Sequence, residues 1–226
     1  MNILIIEDDK NIADTISLTL LIRWPEADIE KTYIGKDGIN AVKEQSPDLV
    51  ILDLGLPDMN GFDVLKEIRN YSNSAVVVLS VHREDNDIIT ALELGADDYI
   101  TKPYKQWDLL SRVKAVVRRR ELNSSEIDLT RKQYRLDSHK RILFVGNKVY
   151  TLTHNENIIL KQMMVGNGRT VTNAALINAL WGSNYPNALE TLRVFICRLR
   201  NKIEADPREP KILCTKVGQG YFLGFD

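Results

Sequence analysis

Over the first 120 residues, short apolar runs that each end on a polar residue alternate with stretches whose apolar positions recur every three or four residues. The runs Ile3-Leu4-Ile5-Ile6, Leu49-Val50-Ile51-Leu52 and Val76-Val77-Val78-Leu79 are apolar at every position. Such strands are buried on both faces, as in a parallel sheet covered by helices. The pattern predicts strands near 2–6, 28–33, 48–53, 75–80 and 97–101, with helices near 10–22, 36–45, 61–71, 84–94 and 106–120. Strict alternation calls for right-handed crossovers, hence a doubly wound five-stranded parallel sheet in an α/β domain.

The polar stretch Glu121-Leu122-Asn123-Ser124-Ser125-Glu126 has no helical period and follows the basic Arg118-Arg119-Arg120, so it reads as a linker. Beyond it, short strands at 133–137, 141–145 and 148–152 are separated by turn chemistry, Ser138-His139-Lys140 and Gly146-Asn147, and predict an antiparallel meander. Thr153 and Glu156 form a capping box opening a helix through about 165. Thr172 caps a second helix that ends near Trp181-Gly182. After Ser183-Asn184-Tyr185-Pro186 a third runs from about 188 to 204 and stops before Asp206-Pro207. A hairpin around Gly218-Gln219-Gly220 closes an α+β winged helix-turn-helix. The expected organisation is a first domain at 1–120, a linker at 121–132 and a second domain at 133–226.

Charge separates the halves. The net charge of -1 hides 15 Lys and Arg against 21 Asp and Glu in residues 1–120, and 15 against 10 in residues 121–226. Only the basic half gains by approaching a phosphate polyanion, so nucleic-acid contact is expected there. Cys197 and Cys214 have no spacing suited to zinc or a redox pair and read as reduced packing residues. The first apolar run breaks at Glu7, and no apolar stretch is long enough to span a bilayer. The expectation is a cytoplasmic protein with no membrane partner.

The strand ends carry the chemistry. Glu7 and Asp8 follow the first apolar run, Asp53 ends the third strand, Ser80 the fourth, and Lys102 follows the fifth. Ligands of doubly wound sheets collect at these carboxyl ends. Hard dications want oxygen donors, so Glu7, Asp8, Asp53 and the Gly55 carbonyl suit Mg²⁺. A carboxylate can also act as nucleophile and become an acyl phosphate, and Asp53, on the central strand, is placed for it. Lys102 and the Ser80 hydroxyl would then neutralise the phosphoryl oxygens. Asp9 fits a helix cap better than a metal ligand.

Residues 1–120 resemble the receiver domain of two-component response regulators, which is flavodoxin-like. The resemblance lies in Ile5-Ile6-Glu7-Asp8-Asp9, Asp53 with Pro57 and Gly61, Val78-Leu79-Ser80, and Gly95-Ala96-Asp97-Asp98-Tyr99-Ile100-Thr101-Lys102-Pro103. It implies Asp53 as phosphoacceptor, Glu7 and Asp8 as metal ligands, Ser80 and Lys102 as phosphoryl contacts, Tyr99 as an aromatic switch, and a phosphohistidine on a sensor histidine kinase as donor. Physically, the new dianion would draw in Ser80 and vacate space that the Tyr99 ring enters. Val81 stands where the family usually has a smaller residue, which predicts a long-lived phosphoryl group.

In a helix-turn-helix the last helix enters the major groove. The helix at 188–204 sets Leu192, Ile196, Leu199 and Ile203 on one apolar face. Arg193, Arg198, Arg200 and Lys202 are left for other faces as the DNA-binding set, with Arg193 and Arg198 the base-reading candidates and Arg200 the phosphate candidate. Residues 133–226 resemble the winged-helix effector of the OmpR/PhoB family, through Leu152-Thr153 before Glu156, Thr191-Leu192 leading to Ile196-Cys197-Arg198-Leu199-Arg200, and Thr215 ahead of Gly218-Gln219-Gly220-Tyr221. Where that family's wing carries an arginine before the first glycine, this chain has Val217, with Lys216, the remaining DNA-binding candidate, one residue earlier and facing the other way. The resemblance implies a homodimer on activation, paired through Asp97, Asp98 and Arg112, that binds double-stranded promoter DNA and engages RNA polymerase. Ile88 replaces a basic residue that often bridges protomers.

Two other readings compete. A phosphohydrolase of the haloacid-dehalogenase type also uses a strand-end Asp with Mg²⁺, but needs a second acid two residues later, where this chain has Gly55. An adaptor acting only through protein contacts would show no salt-dependent DNA binding. The phosphohydrolase reading also leaves the basic winged helix unexplained, and the chain is not read as an enzyme.

Overall fold

Parallel strands and crossover helices alternate through the first half of the chain. The computed structural model describes residues 1–82, 84–122, 128–131, 133–182 and 188–224, in two units, Met1–Val117 and Arg118–Asp226. The order begins β1 (Asn2–Ile6), α1 (Lys10–Arg23), β2 (Asp28–Thr32), α2 (Gly35–Gln45), β3 (Leu49–Asp53) and α3 (Gly61–Tyr71). It continues β4 (Ala75–Ser80), α4 (Asp85–Leu94), β5 (Asp98–Thr101) and α5 (Gln106–Leu122). Sheet order is β2-β1-β3-β4-β5, all parallel. Ile3, Ile5, Leu49, Ile51, Val77 and Leu79 pack with Ala13, Ile16 and Leu20 of α1 and with Leu109, Val113 and Val116 of α5. The alternate residues Leu4, Ile6, Val50, Leu52, Val76 and Val78 are equally buried, which is why both registers of each strand had to be apolar.

Strand order reverses between β1 and β3, so their carboxyl ends flank the switch point where such sheets bind ligands. The loop after β3 is fixed at both ends. A side-chain atom on Gly61 would strike the backbone of Leu54, so only glycine lets α3 start there. Asp58 accepts hydrogen bonds from the amides of Gly35 (2.7 Å) and Lys36 (3.0 Å), capping α2 from across the chain. Ile34, the residue before α2, offers no side-chain cap of its own.

The second unit opens with β6 (Asp128–Arg131), β7 (Tyr134–Asp137), β8 (Ile142–Val145) and β9 (Lys148–Thr151), a four-stranded antiparallel sheet in that order. Then come α6 (His154–Gly166), β10 (Val171–Thr172), α7 (Asn173–Leu180), α8 (Ala188–Ile203), β11 (Leu213–Lys216) and β12 (Gly220–Leu223). The last strands form a sheet ordered β10-β12-β11. Thr172 caps α7 by accepting from the Ala175 amide at 3.1 Å. Leu192, Phe195, Ile196, Leu199 and Ile203 bury one face of α8, with Trp181 tilted against Phe195 at 5.9 Å between ring centroids.

Strand β6 lies inside the stretch 121–132 read as linker. Leu129 is its one apolar residue, too little apolar signal to mark a strand, and it is fixed by pairing with β7. Asn123 to Glu126 of the expected linker and the loop Ser183 to Pro186 lie outside the described residues. Among the described residues no helix is long and apolar enough to cross a membrane.

Candidate functional site

Three of the strand-end residues converge with a fourth. Carboxylate oxygens of Glu7, Asp8 and Asp53 lie within 4.8 Å of one another. Lys102 Nζ donates to Glu7 Oε2 at 2.7 Å and to Asp53 Oδ2 at 3.0 Å. Glu7 and Asp53 are buried and Asp8 is exposed, so the cluster has deep anionic walls and one side open to water. Such a donor set of carboxylate oxygens is what a hard dication takes. Asp9, next in sequence, caps α1 instead, accepting from the amides of Asn11 (2.7 Å) and Ile12 (3.2 Å). Gly55 follows Asp53 in the loop; a side chain there would begin 3.7 Å from Asp53 Oδ2 and stand over the carboxylate.

The electrostatics follow from crowding. Burial pushes the Glu7 carboxyl up to about 7; Lys102 opposes this and the charges of Asp53 and Asp8 add to it. Burial alone would lower Lys102, but the Glu7 and Asp53 carboxylates outweigh it and hold the ammonium above its ordinary value. Tyr104, missed by the sequence reading, is pushed up to about 12 by burial and by the charges of Glu7 and Asp53. Its place two residues beyond Lys102, leaving β5, was the available signal. Beside it lies a cleft of about 770 Å³, mostly apolar, whose lining includes Ile12, Thr15, Val81, Lys102, Pro103 and Tyr104. The Lys102–Pro103 peptide bond is cis.

Ser80 is fully buried at the end of β4, and its hydroxyl accepts from the His82 amide at 3.1 Å. Tyr99 differs from expectation. Its ring is already inside, 5 % exposed, with its hydroxyl donating to the His82 carbonyl at 3.0 Å. Burial raises the Tyr99 hydroxyl, with the Ser80 side chain opposing. The ring therefore has no entry to make; the chain Ser80–His82–Tyr99 is assembled.

Of the residues assigned to pairing between protomers, Asp97 is committed elsewhere. It is 1 % exposed and accepts from Arg69 Nη2 at 3.0 Å and from the Val76 amide at 2.9 Å. Through these partners Asp97 fastens α3 and β4 within one chain. Sequence could not separate it from its neighbour Asp98. Asp98 is also buried, paired with Arg112 at 3.0 Å, and Arg112 holds Asp108 at 3.0 Å as well.

In the second unit, the cations of α8 divide sharply. Arg193 is exposed. Lys202 Nζ bonds Glu156 Oε2 at 2.6 Å and the Thr151 carbonyl at 3.0 Å, and Arg198 Nε lies 3.3 Å from Glu156 Oε1. Glu156 is wholly buried and also accepts from the Thr153 amide at 2.8 Å, the carboxylate half of the expected capping box. Arg200 donates to the Leu213 carbonyl at 2.9 and 2.8 Å and to Thr215 Oγ1 at 2.6 Å. These three side chains fasten α8 to α6 and β11, so the DNA-facing set expected from charge alone must be revised. Exposed on α8 are Glu190, Arg193, Cys197 and Asn201; counting only cations had passed over the last two. Lys216 and Val217 are both exposed at the hairpin tip, where Gly218 turns the chain at φ +72°.

Known proteins share both halves. Residues 3–114 match the response regulator receiver domain, and residues 146–223 match the C-terminal domain of transcriptional regulatory proteins. The sensory transduction protein RegX3 of Mycobacterium tuberculosis is 37 % identical over 228 residues, covering 98 % of each chain. The transcriptional regulatory protein KdpE of the same organism is 36 % identical over 225 residues, covering 97 % of each. Among solved structures, the response regulator DrrB, a Thermotoga maritima OmpR/PhoB homolog, covers 99 % of both chains at 28 % identity with a TM-score of 0.51. The C128D mutant of RitR shares the fold at a TM-score of 0.82 and 24 % identity over 98 % of each chain. With an acidic pocket at the switch point of a five-stranded parallel sheet and a winged helix later in the sequence, this chain belongs to the OmpR/PhoB family of two-component response regulators, transcriptional regulators built from a receiver and a DNA-binding domain.

Proposed function

We propose that this chain is a cytoplasmic regulator of transcription switched by phosphorylation of Asp53, and that a sensor histidine kinase supplies the phosphoryl group. The observation that carries this is the meeting of Glu7, Asp8, Asp53 and Lys102 in one pocket. A carboxylate oxygen of Asp53 attacks phosphorus, the bond from phosphorus to the kinase's histidine nitrogen breaks, and that nitrogen leaves with the electron pair. Glu7, Asp8, Asp53 and the Gly55 carbonyl would hold Mg²⁺, which when bound neutralises charge on the transferring phosphoryl oxygens. Lys102, already charged and within reach of Asp53, contributes the fixed ammonium. The apolar cleft beside Lys102 gives the donor its approach.

Once Asp53 carries a dianion, the Ser80 hydroxyl turns toward it and releases the His82 amide. The His82 carbonyl holds Tyr99, so the change reaches the surface of α4 and β5. A homodimer then forms across the face of α4, β5 and α5, with Asp98 and Arg112 as the charged pair that can be shared between protomers. The dimer binds double-stranded promoter DNA through α8 and meets RNA polymerase there. Incubation with acetyl phosphate and magnesium should raise the intact mass by about 80 Da, the mass of one phosphoryl group. Asp53→Ala should show no gain. A parent chain that gains nothing, or a gain that survives Asp53→Ala, would sink the proposal.

A further inference from the structure

We infer that operator sequence is read by Arg193, Cys197 and Asn201, and that Arg198, Arg200 and Lys202 position the helix instead of touching bases. The inference rests on the proposed reading of DNA by α8 and names the residues that give it sequence preference. Positions 190, 193, 197 and 201 recur at three- and four-residue spacing, so they form one stripe about 80° wide along α8. All four side chains are exposed, and they face away from the buried Leu192, Phe195, Ile196 and Leu199. The stripe is about 16 Å long, the length of four to five base steps.

The competing cations are held back by geometry. Arg198 and Lys202 both close on the Glu156 carboxylate, which is 0 % exposed. Releasing either would leave a buried charge short of a partner. Arg200 spends Nε and Nη2 on the Leu213 carbonyl and Thr215. Base contacts therefore fall to side chains with no such duty. Arginine forks onto guanine O6 and N7, asparagine onto adenine N6 and N7, and a small apolar group such as the Cys197 thiol packs against the thymine methyl. A half-site with separate G, T and A determinants follows.

The test is selection of binding sequences from random double-stranded DNA by the full chain, phosphorylated with acetyl phosphate, beside variants R193A, C197G and N201A. Each variant should enrich a motif that has lost its preference at a different base pair, with affinity for the parent motif reduced about tenfold for R193A and N201A. Replacing the thymine facing Cys197 by uracil, which removes only the methyl, should weaken the parent about fourfold and leave C197G unchanged. Thermal unfolding of R193A and N201A should match the parent, since these side chains are exposed, and C197G should melt only slightly lower, by the cost of a glycine inside a helix. A motif unaltered in all three variants would overturn the assignment while DNA reading stands. Failure of the parent to enrich any motif would overturn DNA reading and the assignment with it.

Discussion

Glu7 shows how much a single side chain's surroundings matter. Its carboxyl ordinarily titrates at 4.5 and here at about 7 because it is buried, so between those values the folded chain keeps a proton that the unfolded chain gives up. The stability this contributes is complete below about 4.5 and disappears as pH rises through about 7. Glu7→Gln cannot ionise. In buffer free of divalent cations its melting temperature should gain several degrees on the parent's between roughly pH 5 and roughly pH 8, read by circular dichroism; a constant gap would show that Glu7 titrates normally. Val81 is 67 % exposed on the cleft beside Lys102, and on the proposed reading its bulk would screen a phosphorylated Asp53 from attacking water. Val81→Ala should shorten the half-life of the phosphorylated chain about fivefold, about 1 kcal/mol in barrier, followed by loss of the added mass. The strand-end acids were legible because a polar residue closing an apolar run is a rare pattern. Asp97 was not, because Asp97 and Asp98 look alike in sequence and only the tertiary approach of Arg69 tells them apart.

At the level of elements, α8 is the instructive case. Its buried face followed from spacing alone, as did the cap of α7 and the alternation of β1 to α5. The partners of its cations did not, since Glu156 precedes Lys202 by 46 residues and Leu213 follows Arg200 by 13. Charge in a helix predicts a solvated or DNA-facing side until something buried of opposite sign arrives. Glu156→Ala should accordingly cost about 3–5 kcal/mol by leaving Arg198 and Lys202 without their carboxylate. Urea denaturation of the second unit, followed by the fluorescence of Trp181, would measure it, and a loss under 1 kcal/mol would show the network to be slack. Strand β6 escaped sequence reading for a related reason: pairing with β7, and not an apolar pattern of its own, creates it.

Across the whole molecule, the division of charge between an acidic first half and a basic second half matches the proposed division of labour between accepting a phosphoryl group and meeting DNA. On that proposal, dimerisation would link the two by mass action. Sedimentation velocity of the parent with acetyl phosphate should show a shift to dimer that Asp53→Ala lacks, and a variant that dimerises like the parent would break the link. A different kind of leverage comes from the two thiols. Cys214 is half-buried with its Sγ against the carbonyls of Pro210 and Lys211, whereas Cys197 stands free on the outer side of α8. Maleimide dyes should therefore attach first at Cys197, and an oligonucleotide seated on that side should slow the attachment. The native chain thus carries a reporter thiol within the stripe proposed to read bases, and docking can be followed as a slowing of that thiol's reaction, with no engineered cysteine.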